Sequence, residues 1–183
     1  LVLGNHDYGR YTTGQRTVAK AQIDHTKIDS RWNMPDHNFT KIVEVPGSGG
    51  KHVQFVFIDT PRLSPSEAPG TGASYGVSAA LQAAMSASHL SWIQQTLAAS
   101  SATWLFVVGH YQGTFFSVCK LLLLLVVCFT QLISVNIVFG TAAGDVPDDS
   151  YLINLLDPLL VQYNVTAYFH GHEHVLSVRL SYH

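Results

Sequence analysis

The sequence contains few charged residues and few cysteines, and each shortage limits what the protein can be. Only 12% of its 183 residues are charged, the formal net charge is -2, and there is no lysine-rich run. Nucleic-acid binding needs clustered cations to neutralise phosphates, so no nucleic-acid partner is expected. The two cysteines, Cys119 and Cys128, would lie about 13 Å apart on a helix, too far for a disulfide. They therefore say little about the redox compartment.

The chain also lacks an initiator methionine and a basic, apolar leader. It begins at Leu1, just before a histidine-bearing loop, and closes at His183, soon after the last such loop. We expect an internal fragment of a longer protein, in which a signal region cannot be judged. With 47% hydrophobic residues, the chain can still bury the core of one domain.

Three loops that carry histidine each follow a short apolar strand. The predicted strands are Leu1–Leu3, Trp104–Val108 and Thr166–Phe169, and the loops are Gly4-Asn5-His6-Asp7, Gly109-His110 and Gly171-His172-Glu173-His174. Neutral imidazoles combined with an amide oxygen suit a transition-metal site. The loops therefore predict part of a metallohydrolase.

In this order the loops resemble those of the calcineurin-like metallophosphoesterases, and within them the tartrate-resistant type of purple acid phosphatase. The stretches between the loops are similar as well: Arg31-Trp32-Asn33-Met34-Pro35, Leu90-Ser91-Trp92, Val108-Gly109-His110-Tyr111 and Tyr163-Asn164-Val165-Thr166-Ala167-Tyr168. The likeness covers about residues 1–112 and 142–178. Three ordered loops with matching connectors are far more specific than one Gly-His-x-His.

The resemblance implies an α/β fold, a two-sheet sandwich flanked by helices in four αββα layers, which is incomplete here. Residues 1–183 would be a partial metallophosphoesterase domain. The local patterns add a hairpin from Thr40–Val45 and Val53–Asp59, and a long surface loop over Pro61–Ser78.

Two helices are predicted from apolar spacing. The first is capped by Ser86 or Ser88 and carries Leu90, Ile93 and Leu97. The second follows Asp148-Asp149-Ser150, is bent by Pro158, and ends where Asn164 adopts a left-handed conformation.

The resemblance further implies a binuclear metal centre, iron paired with iron, zinc or manganese, that hydrolyses phosphate monoesters at acidic pH. Asn5, His110 and His172 would bind one metal, and His174 would bind the other. His6 would protonate the leaving alkoxide as an imidazolium, and Asp7 would orient its ring.

The other histidines are expected to lie at the surface or in hydrogen bonds rather than to bind metal. They are His25, His37, His52, His89 and His183. His170 has two interpretations, as a cap of its strand or as a support for the ligands, and the cap is favoured.

The chain departs from the family in two places. The Asp-x-Gly and Gly-Asp-x-x-Tyr motifs, which supply carboxylates and a tyrosine to the metals, are absent, and Asp145, Asp148 and Asp149 belong to no recognised motif. The chain alone is therefore expected to be inactive. The second departure is an apolar run over 115–139, in which Lys120 is the only charge.

As a helix this run would span a bilayer. A span would, however, place His110 and His172 on opposite sides of the membrane, where they could not share a metal. We favour an insertion foreign to the fold at about 113–140, and hypothesise a translated intron. A membrane anchor is the alternative.

Two hypotheses of function follow. The first concerns the parent protein, the longer protein of which this chain would be a fragment. It would be a secreted, vacuolar or lysosomal acid phosphatase, monomeric, acting on a small phosphate ester or a phosphoprotein, with glycosylation sequons at Asn38 and Asn164. The second is a truncated or mis-spliced, non-catalytic product that associates with membranes or aggregates through 115–139.

Overall fold

A computed structural model describes residues 1–8, 19–63, 79–111, 133–138, 150–172 and 177–182. Its helices are α1 (Ala19–His25), α2 (Ala79–Ala98) and α3 (Ser150–Gln162), with short 3₁₀ helices at Asn5–Tyr8 and Thr60–Arg62. Its strands are β1 (Phe39–Glu44), β2 (His52–Phe57), β3 (Trp104–Val108), β4 (Ile133–Val138), β5 (Ala167–His170) and β6 (Ser177–Tyr182).

The strands form a mixed sheet in the order β1-β2-β3-β5-β4-β6. The four inner strands, β2, β3, β5 and β4, run parallel, and β1 and β6 pair antiparallel at the two edges. The carboxyl ends of parallel strands lie along one side of a sheet, here called its carboxyl edge, where α/β proteins place their ligands. The chain segments that follow β2, β3 and β5 therefore meet at the carboxyl edge.

The main core lies between one face of the sheet and the helices α2 and α3. Alternate residues of β2 and β3, such as Val56 and Val107, are fully buried there. The helices contribute an apolar stripe to the same cluster: Ile93, Leu97, Leu152, Leu156 and Leu160. The spacing of three and four residues along each helix explains why the stripe faces the sheet.

The opposite face of the sheet carries a row of half-buried phenylalanines. Ring centroids lie 4.5 Å apart for Phe39 and Phe57, 5.4 Å for Phe55 and Phe106, and 5.5 Å for Phe106 and Phe169. An apolar face of this kind suits cover by a second layer. The described residues form a mixed α/β fold with one sheet, and the two-sheet sandwich stays a prediction.

Several predicted elements are confirmed. The hairpin is present as β1 and β2, β3 has the predicted bounds, and the third predicted strand is shifted by one residue. Helix α3 continues through Pro158, and Asn164 has a φ of 56°, the left-handed conformation expected just after the helix.

Two expectations need correction, and one helix was not expected. Leu1–Leu3 is not a strand; Leu3 instead packs in a small cluster with Tyr8, Ala19 and Met34. Helix α2 begins at Ala79, before the predicted serine caps, because its first residues are mostly alanine, leucine and glutamine, which favour helix. No element was predicted for α1.

The apolar run is described only in part. Residues 133–138 form β4, which pairs with β5 and β6. Residues 113–132, 139 and 140 lie outside the described residues, so the foreign insertion and the membrane anchor stay predictions. Among the helices that the structure describes, none is both long and apolar enough to cross a bilayer.

Candidate metal centre

The first histidine-bearing loop is a 3₁₀ turn closed by its own aspartate. The Asp7 carboxylate accepts a hydrogen bond from the Gly4 N–H (2.9 Å), and the Asp7 N–H donates to the Gly4 carbonyl (3.0 Å). Gln22 of α1 donates to the other oxygen of Asp7 (3.1 Å). Asp7 therefore shapes the turn that presents Asn5. Its predicted role toward His6 stays a prediction, because the His6 side chain lies outside the described part of the structure.

Glycine allows the first loop to approach the second. A Cβ atom on Gly4 would lie 2.8 Å from Cε1 of His110, closer than real contacts permit. Any side chain at position 4 would push the His110 ring away from the first loop. The absence of a side chain at Gly4 thus allows Asn5 and His110 to lie close together.

Asn5, His110 and His172 form a cluster of metal-binding atoms, called here the donor cluster. His110 Nε2 lies 3.0 Å from Asn5 Oδ1 and 3.1 Å from His172 Nδ1. The two imidazole rings are 5.0 Å apart and nearly perpendicular, at 77°. Three residues widely separated in sequence thus converge at the carboxyl edge of the sheet, and all three are half-buried.

The donor cluster has the size and chemistry to hold one metal ion. Ligand atoms held about 2.1 Å from a tetrahedral ion lie roughly 3.4 Å from one another, close to the spacing seen here. A neutral His110 carries at most one hydrogen on Nε2, yet this atom faces two potential acceptors. A cation would satisfy all three atoms at once, so the residues fit the implied metal.

The backbone around His172 is constrained. Its φ is 70°, a left-handed value that is uncommon for a residue other than glycine. The Gly171 N–H donates to the His110 carbonyl (3.0 Å), which ties the third loop to the second. Strained backbone that the fold enforces is frequent at functional sites.

Tyr111 forms an aromatic wall beside the imidazoles. Its ring centroid lies 4.7 Å from that of His172 and 5.1 Å from that of His110. The Tyr168 hydroxyl donates to the Tyr111 carbonyl (2.8 Å) and burial raises the pKa of Tyr168, so this hydroxyl stays protonated. The wall limits how far either imidazole can rotate.

The predicted ligand His174 lies outside the described residues, as do Glu173, Asp145, Asp148 and Asp149. His170 is buried, and its ring stacks on Tyr168 at 5.6 Å. Within the described ranges, no group of three or more His, Cys, Asp or Glu side chains converges, so a second metal position is not defined there.

A second polar cluster, which the sequence analysis missed, lies at the same edge. Here called the carboxylate cluster, it consists of Tyr8, His37, Asp59 and Arg62. Asp59 is completely buried; its Oδ2 accepts from the Tyr8 hydroxyl and lies 2.7 Å from His37 Nδ1 and 3.4 Å from Arg62 Nε. Arg62 Nη2 also contacts His37 Nε2 (2.9 Å).

Burial and the Asp59 carboxylate raise the pKa of the Tyr8 hydroxyl, which therefore remains a donor. Two local signals for this cluster are an aspartate two residues after the apolar strand β2 and Arg62 three residues further on. The other partners, Tyr8 and His37, are far away in sequence, so no motif joins them.

A cavity of about 360 Å³ adjoins the carboxylate cluster. It is lined by Asn38, Arg62, Ala84, Met85, Ser88, His89 and Trp92. His89 is only 4% exposed, and burial lowers its pKa to about 4. Its Nε2 has no hydrogen-bond partner among the described atoms. His89 is therefore a neutral core residue, neither a surface residue nor a ligand.

Comparison with known proteins finds distant relatives. No family model matches the chain. Tartrate-resistant acid phosphatase type 5 of Rattus norvegicus is 28% identical over 182 residues, covering 96% of this chain and 42% of the relative. The proteins of the same name from Sus scrofa and Homo sapiens are 27% and 26% identical over 176 residues, also covering 96% of this chain. The chain spans less than half the length of these relatives and is distantly similar to tartrate-resistant acid phosphatases.

Proposed function

We propose that the donor cluster is part of the metal centre of an acid phosphatase that hydrolyses phosphate monoesters. The observation that carries the proposal is that Asn5 Oδ1 and His172 Nδ1 both lie within hydrogen-bond distance of His110 Nε2. These are three of the four ligands that the resemblance implies within this chain. The distant relatives, which are acid phosphatases by name, support the same reaction class.

In this proposal Asn5, His110 and His172 hold one metal of a binuclear centre, and His174 contributes to the other. The pair would be iron with iron, zinc or manganese. When bound, the metals supply positive charge to the phosphate oxygens and lower the pKa of water. The protein contributes the arrangement of neutral ligands and the wall formed by Tyr111.

His6 is the proposed general acid. It lies next to Asn5 in the 3₁₀ helix Asn5–Tyr8, so the chain places it beside a ligand. As an imidazolium it would transfer a proton to the leaving alkoxide oxygen, which fits work at acidic pH. Asp7, already fixed by the Gly4 N–H and by Gln22, would keep the turn in place during the transfer.

The proposed setting is the secretory route, as a monomer that is secreted, vacuolar or lysosomal. Asn164, the acceptor of one sequon, is exposed at the end of α3 and is accessible to glycosylation. The half-buried donor cluster would admit a small phosphate ester or a phosphorylated side chain as substrate.

A second candidate function is a non-catalytic product. It is favoured by the donor set: two imidazoles and an amide carry no negative charge to offset two cations. In this alternative the chain lacks carboxylate ligands, binds at most one metal weakly and hydrolyses nothing.

The test is metal binding and turnover by the purified chain. Zn²⁺ should bind to the chain, and His110→Ala should abolish binding, whereas His52→Ala should not. His52 is a matched control because it begins β2, at the opposite edge of the sheet. Equal Zn²⁺ affinity of the chain and His110→Ala would contradict the proposed metal centre.

Turnover of p-nitrophenyl phosphate with iron, zinc or manganese is then measured on the chain and on the parent protein. Because the chain alone is expected to be inactive, the parent protein separates the two functions, and activity that His6→Ala removes while metal stays bound supports the phosphatase. Metal binding by the parent protein with no turnover supports the non-catalytic product.

A further inference from the structure

We infer that Asp59 and Thr60 are positioning residues that set the distance between the loop of Asn5 and the loop of His110. The inference rests on the proposed metal centre and extends it to two residues that do not bind the metal. The two residues are neighbours in the chain and lie just beyond the end of β2. The Ile58 N–H donates to the Val108 carbonyl (2.9 Å), so β2 and β3 stay side by side beyond the sheet. Asp59 and Thr60 follow, and neither is exposed.

Thr60 holds the second loop by its backbone. Its Oγ1 accepts the N–H of His110 (3.1 Å) and the N–H of Tyr111 (2.9 Å). A Cβ atom on Gly109 would lie 2.8 Å from Cγ2 of Thr60 and 2.3 Å from the hydroxyl of Tyr168. The loop of His110 is therefore held by two hydrogen bonds to Thr60, and Gly109 is closely packed against Thr60 and Tyr168.

Asp59 holds the first loop from its far end. The 3₁₀ helix begins at Asn5 and ends at Tyr8, whose hydroxyl donates to the buried Asp59 carboxylate. His37 and Arg62 contact the same carboxylate and fix its orientation. The turn that carries Asn5 is therefore held by a hydrogen bond to a side chain that is fully buried.

Both loops are tied to adjacent residues of one buried segment. A shift of Thr60 would move His110, and a shift of Asp59 would move Tyr8 and with it Asn5. Groups that support ligands typically change metal affinity by 10–100-fold when removed. Since Asp59 and Thr60 touch neither metal nor substrate, their effect would reach the donor cluster through geometry alone.

The experiment measures Zn²⁺ affinity of the chain by titration calorimetry. Thr60→Val keeps the shape of the side chain but removes its acceptor, and should weaken Zn²⁺ binding about tenfold. Thr60→Ser restores the oxygen and should bind within about threefold of the unaltered chain. Tyr8→Phe removes the hydroxyl that ties Tyr8 to Asp59 and should also weaken binding about tenfold. Thr40→Val, an exposed site on β1, is the control and should have no effect.

Stability must be measured beside affinity, by urea unfolding of the metal-free variants. The inference is overturned if Thr60→Val and Tyr8→Phe bind Zn²⁺ as the unaltered chain does, even if they unfold more easily. It is also overturned if Thr60→Ser binds as poorly as Thr60→Val. These outcomes differ from failure of the proposed function, in which the parent protein shows no phosphate turnover or His110→Ala leaves Zn²⁺ binding intact.

Discussion

The donor cluster and the carboxylate cluster lie at the same edge of the sheet but are built in opposite ways. The donor cluster is half-buried and made of two imidazoles and an amide, with the Asn5 oxygen and a His172 nitrogen both close to His110 Nε2. In the carboxylate cluster, a fully buried Asp59 is surrounded by a hydroxyl, an imidazole and a guanidinium. The first is suited to accept a cation from outside, whereas the second already contains its cation.

The difference has a physical origin. A buried carboxylate is costly unless charges and hydrogen bonds compensate it, and at Asp59 the compensation comes from groups that all contact Oδ2. A metal site must contain no cation of its own, because a fixed positive charge would repel the metal ion. The two clusters are joined by the 3₁₀ helix that runs from Asn5 to Tyr8.

Breaking the carboxylate cluster should have the largest effect. Asp59→Ala removes the buried anion and leaves Arg62 and His37 without their shared acceptor. The free energy of unfolding should fall by about 3–5 kcal/mol, as measured by urea denaturation. Asp29→Ala is the control, because it breaks an ion pair with the exposed Arg31 and should cost far less. Equal effects of the two variants would show that the buried cluster is not a special case.

Acidification tests the buried histidine that borders the carboxylate cluster. The folded pKa of His89 is about 4 because of burial, below the unfolded value of about 6.5. The unfolded chain therefore binds a proton first as pH falls. Stability is complete above pH 6.5 and should drop by up to about 3 kcal/mol by pH 4.

The measurement is urea unfolding of the chain and His89→Gln between pH 7 and pH 4. Glutamine cannot take up the proton, so this variant should lose less stability over the same interval. Parallel curves for the two proteins would refute the assignment of the pH dependence to His89.

Steric crowding at Gly109, the residue after β3, should have a smaller effect on the free energy of unfolding. Gly109→Ala places a methyl group against Tyr168 and Thr60, and should cost about 1–3 kcal/mol. Gly171→Ala is the matched control, since its nearest contact would be His110 Nδ1 at 3.9 Å. The comparison of thermal unfolding of the two variants checks the prediction, and equal melting temperatures would contradict it.

The smallest effect on stability is expected where the donor cluster is given the charge that it lacks. Asn5→Asp adds a carboxylate at a half-buried position, so the metal-free chain should change little in stability. Its affinity for Zn²⁺ should rise at neutral pH, because an anionic ligand replaces a neutral one. Calorimetric titration checks this, with Asn5→Ala as the control that should bind more weakly. A loss of affinity in Asn5→Asp would mean that the position does not face the metal.

Much of the fold and of the donor cluster follows from local sequence. The apolar run of Trp104–Val108 gave β3 its correct bounds, and Asn164 marked the end of α3. Parallel strands bring their following loops to one edge, so His110 and His172 could be expected to meet. In the structure a nitrogen of each lies close to the other and the Asn5 amide oxygen lies close to His110 Nε2, whereas their binding of a metal stays a prediction.

The carboxylate cluster could not be predicted, because its only local contact is that of Asp59 with Arg62, and the contacts that Tyr8 and His37 make with Asp59 are tertiary. Tyr8 and Asp59 are separated by 51 positions, and Tyr8 and His37 by 29. His37 has no neighbour in sequence that signals its partner. Leu1–Leu3 failed as a strand for a related reason, since apolar residues extend into a strand only where a partner strand is available.

Asn5, His110 and His172 are proposed to bind one metal ion together. The most direct measurement is zinc-edge X-ray absorption of the Zn²⁺-loaded chain, compared with His172→Ala. We predict two imidazole ligands per zinc in the chain and one in His172→Ala, with the remaining shell made of oxygen. An imidazole count that is the same in both proteins would contradict the claim.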